Sequence, residues 1–347
     1  MRIGVLTGGG DAPGLNPAIR AVVLRATALG HDVLGIADGW LGLIAGRARP
    51  LTERDVAHIL DQGGTILGTS RTDPRKNERD QRACLEQLGK LGIDALVAIG
   101  GNDTLGVANW LHGKGVRVVG VPKTVDNDLT ATDYCIGFDS AVSVVTEALD
   151  RLRTTASSHH RAMVVEAMGR DTGWVAAVGG IAGGADIILV PEIPVSAEEV
   201  VDAVRHLKEH GDDDIIVVAS EAVEIEGLEA QTTIERDAFG HPRLDQRAIG
   251  AILARHIEQR TGIEARVVVL GHLQRGGSPT TVDRFWATRL GTAAVDLVNA
   301  GKSGVLPVAR GGGVAVVTMS EAVGTTRRLD PELIELVRRL AGTDRQH

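Results

Sequence analysis

Aromatic residues are scarce in this sequence of 347 residues: one Tyr, three Phe and four Trp, 2% of the chain. A surface built to stack bases would use more of them. A basic excess is also missing. The 37 Lys and Arg are outnumbered by 45 Asp and Glu, and the net charge of −8 argues against a general nucleic-acid binder. No apolar run approaches the ~20 residues of a membrane-spanning helix, so no membrane partner is expected. The two cysteines, Cys84 and Cys135, form no ligand cluster and read as reduced thiols. Met1 to Leu6 runs straight into a strand-like segment with no signal peptide before it, which predicts a cytoplasmic location.

Glycine is abundant instead, at 44 residues, with only 11 Pro and no G-X-Y period, so collagen and low complexity are excluded. Short Val/Ile-rich runs predict strands at Ile3–Leu6, Asp32–Ile36, Ala95–Ile99, Arg117–Val121, Arg161–Glu166, Ile187–Val190, Asp214–Ala219 and Arg266–Leu270. Several lack polar alternation, as strands buried on both faces of a parallel sheet do. Helical patterns lie between them, at Asn16–Leu29, Glu78–Leu91, Leu105–His112, Ser140–Thr155, Ala197–Gly211 and Gln246–Thr261. The alternation reads as a doubly wound α/β fold. Glycine pairs such as Gly8–Gly10, Gly100-Gly101, Gly179-Gly180 and Gly183-Gly184 are expected at strand ends, where backbone N–H groups and a helix dipole can meet phosphate. The acidic run Asp212–Asp214 reads as a solvated turn. Glu224–Arg247 reads as a polar surface excursion with a turn at Gly240-His241-Pro242.

Four stretches carry chemistry. Thr7–Asn16 is a Gly-rich loop that is neither a Walker loop nor a dinucleotide fingerprint. In Ile99–Leu105, Asn102 and Asp103 suit either helix N-caps or contacts to a phosphoryl donor and its metal. Pro122–Leu129 gathers Lys123, Thr124, Asp126, Asn127 and Asp128 at one strand end, a set that fits metal–phosphate chemistry with a general base better than Asx turns alone. Arginine-bearing segments Gly64–Arg71, Ser157–Arg161, Met168–Arg170 and Gly271–Ser278, with Arg266, imply more than one phosphate to hold.

The motifs GGGDAPGLNPAIR, GGTILGTSR, GGNDTLGVA, PKTVDNDL, SSHHRAMVVEAMGR and VLGHLQRGGSP, in this order, resemble the phosphofructokinase family from Ile3 to about Arg289. The resemblance implies two Rossmann-like α/β domains with the active site in the cleft between them. Residues 1–137 plus about 275–318 would bind the phosphoryl donor, and 138–274 plus about 319–347 the sugar phosphate. It implies Asp126 as the base on the 1-hydroxyl of fructose 6-phosphate, Thr124 beside it, Arg170 on the phosphoryl group in flight and Arg71 on the donor. Gly10, Asp11, Gly101, Asp103, Thr104 and Lys123 complete the implied donor site. Arg161, Arg266, His272 and Arg275 match the sugar-phosphate pocket, and Met168, Gly169 and Glu221 match sugar contacts. In the family, the matches of Arg161 and Arg266 reach across from a neighbouring subunit, which implies a homodimer or homotetramer with shared sites.

Pyrophosphate-dependent members resemble this chain at Asp103 and Lys123, where ATP-dependent bacterial members have glycine. A carboxylate at 103 would repel a nucleotide α-phosphate, and a lysine at 123 adds a point charge for pyrophosphate. The expected activity is therefore reversible, pyrophosphate-dependent phosphorylation of fructose 6-phosphate. The alternatives are an ATP-dependent enzyme, a preference for sedoheptulose 7-phosphate, or a weakly active regulatory subunit. Mg2+ is the implied cofactor, yet Asn102 stands where relatives usually carry the magnesium-binding acid, with Asp128 as the compensating ligand. Arg20 and Arg153 remain of a basic effector site, while Leu24, Glu53 and Asp212 occupy its other positions, so little response to ADP or phosphoenolpyruvate is expected.

Overall fold

The computed structural model describes residues 1–212, 214–228, 239–240, 244 and 247–343. The first stretch of chain runs β1 (Arg2–Thr7), α1 (Leu15–Ala28), β2 (Asp32–Ile36), α2 (Gly39–Ala45), β3 (Ala48–Leu51), α3 (Glu78–Lys90), β4 (Ala95–Gly100), α4 (Asn102–Gly113) and β5 (Val118–Pro122). α5 (Phe138–His159) then leads to β6 (Ala162–Ala167), α6 (Trp174–Ala182), β7 (Ile187–Leu189), β8 (Val195–Ser196), α7 (Ala197–Glu209), β9 (Ile216–Ser220), β10 (Ile225–Glu226), α8 (Ile249–Thr261) and β11 (Ala265–Val269). The chain ends with α9 (Thr281–Asn299), β12 (Val305–Arg310), β13 (Gly313–Thr318), α10 (Met319–Ala322) and α11 (Pro331–Ala341).

These elements form two compact units. One is built mainly from Met1–Ser140 and Arg275–Thr326, the other from the described residues of Ala141–Arg236, Pro242–Gln274 and Arg327–His347. The first holds a seven-stranded sheet of order β13-β12-β5-β4-β1-β2-β3. It is parallel except at its edges, where β13 and β3 run antiparallel to their neighbours. β4 and β5 are buried along their whole length. Their alternate side chains feed two cores: Val97, Ile99 and Val119 pack with α1 and α9 residues, and Leu96, Ala98 and Val118 with α3 and α4 residues. Burial on both faces explains why these strands read as unbroken Val/Ile runs. The second unit holds a parallel sheet of order β11-β6-β9-β7 and a two-stranded β10-β8 pair. Val164, Val217, Val204 and Leu253 belong to its core.

All eight expected strands and six expected helices are present, with ends shifted by a few residues. Gly179 and Gly180 are not at a strand end; they lie inside α6. A Cβ on Gly179 would come within 2.7 Å of Val145, and one on Gly180 within 2.8 Å of Ile188, so these glycines allow close packing and are not phosphate contacts. Gly183 ends the same helix. Of the expected excursion Glu224–Arg247, the beginning enters β10, and most of the rest, including His241 and Pro242, lies outside the described residues. So does Asp213 of the acidic run. No helix among the described residues is long and apolar enough to cross a membrane.

Candidate active site

In the first unit β5, β4 and β1 are neighbours, so the loops that follow them emerge side by side at the carboxyl edge of the sheet. Ligands of open α/β sheets bind at that edge. The loop after β1 is fixed from below. A Cβ on Gly8 would sit 2.5 Å from Thr104 Oγ1, and one on Gly100 would collide with the same side chain. Thr104 is buried, filling the space beneath two glycine loops. The Gly8 amide donates to Ile99 O at 3.0 Å and the Gly9 amide to Ser70 O at 3.2 Å, so these two N–H groups serve the protein.

The Gly63–Arg71 segment is stitched to the same loop. Thr69 Oγ1 donates to Gly9 O at 2.7 Å, Thr7 Oγ1 to Gly68 O at 2.8 Å, and Asn16 Nδ2 to Gln62 O and Gly63 O at 3.2 and 3.1 Å. Ser70 Oγ donates to Asp38 O at 2.7 Å. Arg71 follows this laced backbone and is exposed.

α4 starts at Asn102 with Gly101 as an extended N-cap and no side-chain cap. Neither Asn102 nor Asp103 caps the helix; both lie in its first turn, close to its positive end. Asn102 Oδ1 is buried without a hydrogen-bond partner. A buried amide oxygen left unpaired is costly, so this atom fits a ligand such as a hard cation or an ordered water.

Lys123 is 3% exposed and donates through Nζ to Gly8 O at 3.1 Å and to Gly10 O. Burial pushes its ammonium down to about 8. Arg275 adds to this, and Asp11 and Asp126 oppose it, which places these charges around one cation. The Arg275 guanidinium lies against Gly10, where a Cβ would meet its Nη1 at 2.6 Å. The structure thus sets Arg275, expected with the sugar phosphate, against the glycine loop. Thr124 Oγ1 accepts from the Asp126 amide at 3.1 Å. Asn127 takes a positive φ of 50° and is buried. Its Oδ1 accepts from the Cys135 amide at 2.9 Å and its Nδ2 donates to Asp133 O at 3.4 Å. Asn127 is therefore a structural clip and leaves the acceptor set expected for metal and phosphate. Asp128 is buried.

In the second unit, Met168, Gly169 and Arg170 follow β6, and Glu221 follows β9 beside it. The Gly169 amide donates to Glu221 Oε1 at 3.3 Å, and the Glu221 amide to Ala167 O at 2.8 Å. The Met168 amide donates to Gln274 Oε1 at 3.3 Å. Gln274 is fully buried and was not singled out from the sequence, although it lies in the quoted LQRGG motif. His272 is exposed in the short 3-10 turn Gly271–Arg275 after β11.

Arg161 and Arg266 are not brought to this group. Arg161 precedes β6, and Arg266 pairs in register with Met163 near its start. The six residues of β6 separate Arg161 from Met168 by roughly 20 Å at ~3.3 Å per residue. Both arginines meet Glu264: Arg161 Nη1 at 3.4 Å and Arg266 Nη2 at 2.7 Å.

Residues 2–298 match the family described as Phosphofructokinase. A pyrophosphate–fructose 6-phosphate 1-phosphotransferase of Amycolatopsis methanolica is 54% identical over 336 residues, covering 96% of this chain and 98% of the relative. An ATP-dependent 6-phosphofructokinase of Chloroflexus aurantiacus is 45% identical over 95% of this chain and 93% of its own length. The solved pyrophosphate-dependent phosphofructokinase of Marinobacter aquaeolei has the same fold, with a TM-score of 0.81 over 99% of this chain and 92% of that one at 21% identity. With the glycine loops, the lysine and the carboxylates gathered at one sheet edge, and with a match across most of its length, the chain belongs to the phosphofructokinase family.

Proposed function

We propose that this chain transfers a phosphoryl group between pyrophosphate and the 1-hydroxyl of fructose 6-phosphate, in both directions. Asp126 accepts the hydroxyl proton as the oxygen attacks phosphorus, and inorganic phosphate leaves. Thr124, bonded to the Asp126 amide, steadies the base. Arg71 and Lys123 face the donor with Gly10, Asp11, Gly101 and Asp103. Arg170 offsets charge on the group in flight. Met168, Gly169, Glu221 and His272 receive the sugar phosphate, Arg275 stands on the donor side beside Gly10, and the location is cytoplasmic.

The observation that carries the donor assignment is Lys123, a buried cation bonded to the carbonyls of the glycine loop, and with it goes Asp103 in the first turn of α4. A further anionic group about 4 Å from that carboxylate would cost ~4 kcal/mol at an effective dielectric of ~20. Pyrophosphate avoids this; a nucleotide α-phosphate does not. The curated relative with 54% identity carries the pyrophosphate name, which supports the same reading.

The family generally uses magnesium. The unpartnered Asn102 Oδ1 and the buried Asp128 suit it. Among the described residues no cluster of three His, Cys, Asp or Glu is placed to hold a metal. Asn102 and Asp128 would therefore share the ion with phosphate oxygens and water. When bound, magnesium neutralises charge on the donor. Asn102→Asp should lower the magnesium concentration giving half-maximal rate by several-fold, as an anionic ligand replaces a neutral one.

The separation of Arg161 and Arg266 from Arg170 along β6 supports a homodimer or homotetramer in which these two arginines complete a neighbour's site. Arg153 donates to Asp186 Oδ2 at 2.9 Å, to Asp214 O at 2.7 Å and to Gly184 O. An arginine so engaged favours an enzyme without a phosphate effector. The deciding experiment compares pyrophosphate and ATP as donors to fructose 6-phosphate at several magnesium levels. Faster turnover with pyrophosphate is expected; faster turnover with ATP overturns the donor assignment.

A further inference from the structure

Asp283 lies in the first turn of α9 with no solvent exposure. A buried carboxylate needs donors on both oxygens. One oxygen accepts from Tyr134 Oη at 2.5 Å and the Gly137 amide at 2.6 Å. The other accepts from the Ser140 amide at 2.9 Å and the Ser140 hydroxyl at 2.6 Å. Burial pushes the carboxyl above its usual range, and the Ser140, Tyr134 and Gly137 donors pull it back. Two of the donors are backbone N–H groups, one on each oxygen, and an N–H cannot accept. The site therefore demands an acceptor on both sides.

The clamped segment stands directly behind the loop that carries Thr124 and Asp126. Ile136 O accepts from the Thr124 amide at 3.1 Å, and the Ile136 amide donates to Pro122 O at 3.3 Å. The Cys135 amide donates to Asn127 Oδ1 at 2.9 Å. Thr124 Oγ1 then takes the Asp126 amide at 3.1 Å. A short run of hydrogen bonds and covalent backbone thus links Asp283 to both reacting-loop residues.

We propose that Asp283 is a positioning residue for phosphoryl transfer: by clamping Tyr134–Ser140 to α9, it sets the backbone that presents Thr124 and Asp126. The inference rests on the roles given to those two residues above. Asp283→Asn is nearly isosteric, yet in either orientation its Nδ2 faces the Gly137 or the Ser140 N–H, and that bond is lost. Tyr134→Phe removes one donor and leaves both backbone bonds.

For Asp283→Asn, kcat should fall about 10- to 100-fold, as expected when reacting groups shift by a fraction of an ångström to an ångström. KM for pyrophosphate should stay within about twofold, because the Gly8–Gly10 and Gly101–Asp103 loops keep their own bonds. Tyr134→Phe should lose a small part of that kcat. Hydrogen exchange gives a readout free of activity: the Thr124 and Cys135 amides should exchange faster in Asp283→Asn while β1 and β4 keep wild-type protection. A folded Asp283→Asn protein with wild-type kcat, or one that exchanges faster throughout the unit, overturns the proposal. If Asp283→Asn does not fold, the Tyr134→Phe/Ser140→Ala protein takes its place. It strips both side-chain donors and keeps both backbone bonds, so kcat should fall less than about tenfold. The Thr124 and Cys135 amides should still exchange faster than those of β1 and β4, while wild-type kcat with wild-type exchange overturns the proposal. Failure of the wild-type protein to use pyrophosphate would sink the functional reading, and the exchange pattern would still decide the coupling.

Discussion

The two units hold their cations in opposite ways. In the first, Lys123 is buried and bonded to the carbonyls of its own glycine loop, and that loop is tied to Thr69 and Ser70. In the second, Arg266 is half-exposed and rests on Glu258 and Glu264, and Arg161 shares Glu264. A cradle bonded to itself needs no reorganisation when charge moves, which suits the reacting end of a substrate. Arginines resting on surface carboxylates are held by ~1 kcal/mol or less. They can exchange a carboxylate for a phosphate, which suits capture and release. Under the roles proposed above, Lys123 would serve transfer as a fixed group, and Arg161 and Arg266 would serve binding as exchangeable ones.

The largest break of this comparison would come from Asp126. Asp126→Asn should lower kcat by ~10²–10⁴-fold, the range for loss of a general base, with KM for fructose 6-phosphate within about threefold. A coupled steady-state assay in the direction of fructose 1,6-bisphosphate reads both. A change in KM alone would show that the first unit binds and does not react.

Arg266→Ala tests the other half. KM for fructose 6-phosphate should rise about 10- to 100-fold, the value of a charge-assisted contact worth ~1.5–3 kcal/mol, and kcat should change little. Mixing this protein with Asp126→Asn protein sharpens the point. If Arg266 serves a neighbour's site, hybrid oligomers contain one site free of both changes and activity returns. Read at fructose 6-phosphate well below the raised KM, where each protein alone turns over slowly, a mixture that stays slow would assign Arg266 to its own chain.

Much of this division was legible in the sequence, and the reason is local. β1, β4, β5 and β6 are buried on both faces, so their Val/Ile runs announce them. The loops after them carry glycine and Asx residues whose chemistry is written in adjacent positions. α9 was not legible although its buried positions 283, 287, 290, 291, 294, 295 and 298 keep helical spacing. That stripe holds an Asp, a Gly and two Ala, while apolar Val282 and Phe285 lie exposed, so the apolar contrast between its faces is weak. Its signal was the capping pair Thr280 and Asp283. The β12–β13 hairpin was missed beside it. Asp283 and Gln274 stayed hidden for a different reason: their partners Gly137 and Met168 are 146 and 106 residues away. Lys123 shows the same limit, since its partner Gly8 O is 115 positions distant.

A smaller effect follows from the buried lysine. With its ammonium pushed down to about 8 from 10.5, the free enzyme loses this cation as pH rises through about 8. The ratio kcat/KM for pyrophosphate reports the free enzyme. It should fall on the alkaline side of about 8 when the magnesium–pyrophosphate complex is held constant. Stability moves the other way. The unfolded lysine keeps its proton up to about 10.5, so the unfolded state binds more protons between about 8 and 10.5, and unfolding free energy from this group rises across that window. A flat kcat/KM from pH 7 to 9.5 would show that the charge on Lys123 is not used for the donor.

The smallest expected effect bears most directly on exchangeability. Glu264 meets both Arg161 and Arg266, so it competes with any phosphate that these arginines bind. In Glu264→Gln the competing charge is gone, while the side chain keeps its length and one carbonyl acceptor. Exposed ion pairs are worth up to ~1 kcal/mol, so KM for fructose 6-phosphate should fall by about two- to fivefold, with kcat unchanged. Added salt should narrow the gap between variant and wild type, because screening weakens the wild-type ion pair that the variant lacks. A rise in KM would mean that Glu264 orients the arginines toward the phosphate, and the second unit would then share the self-bonded character of the first.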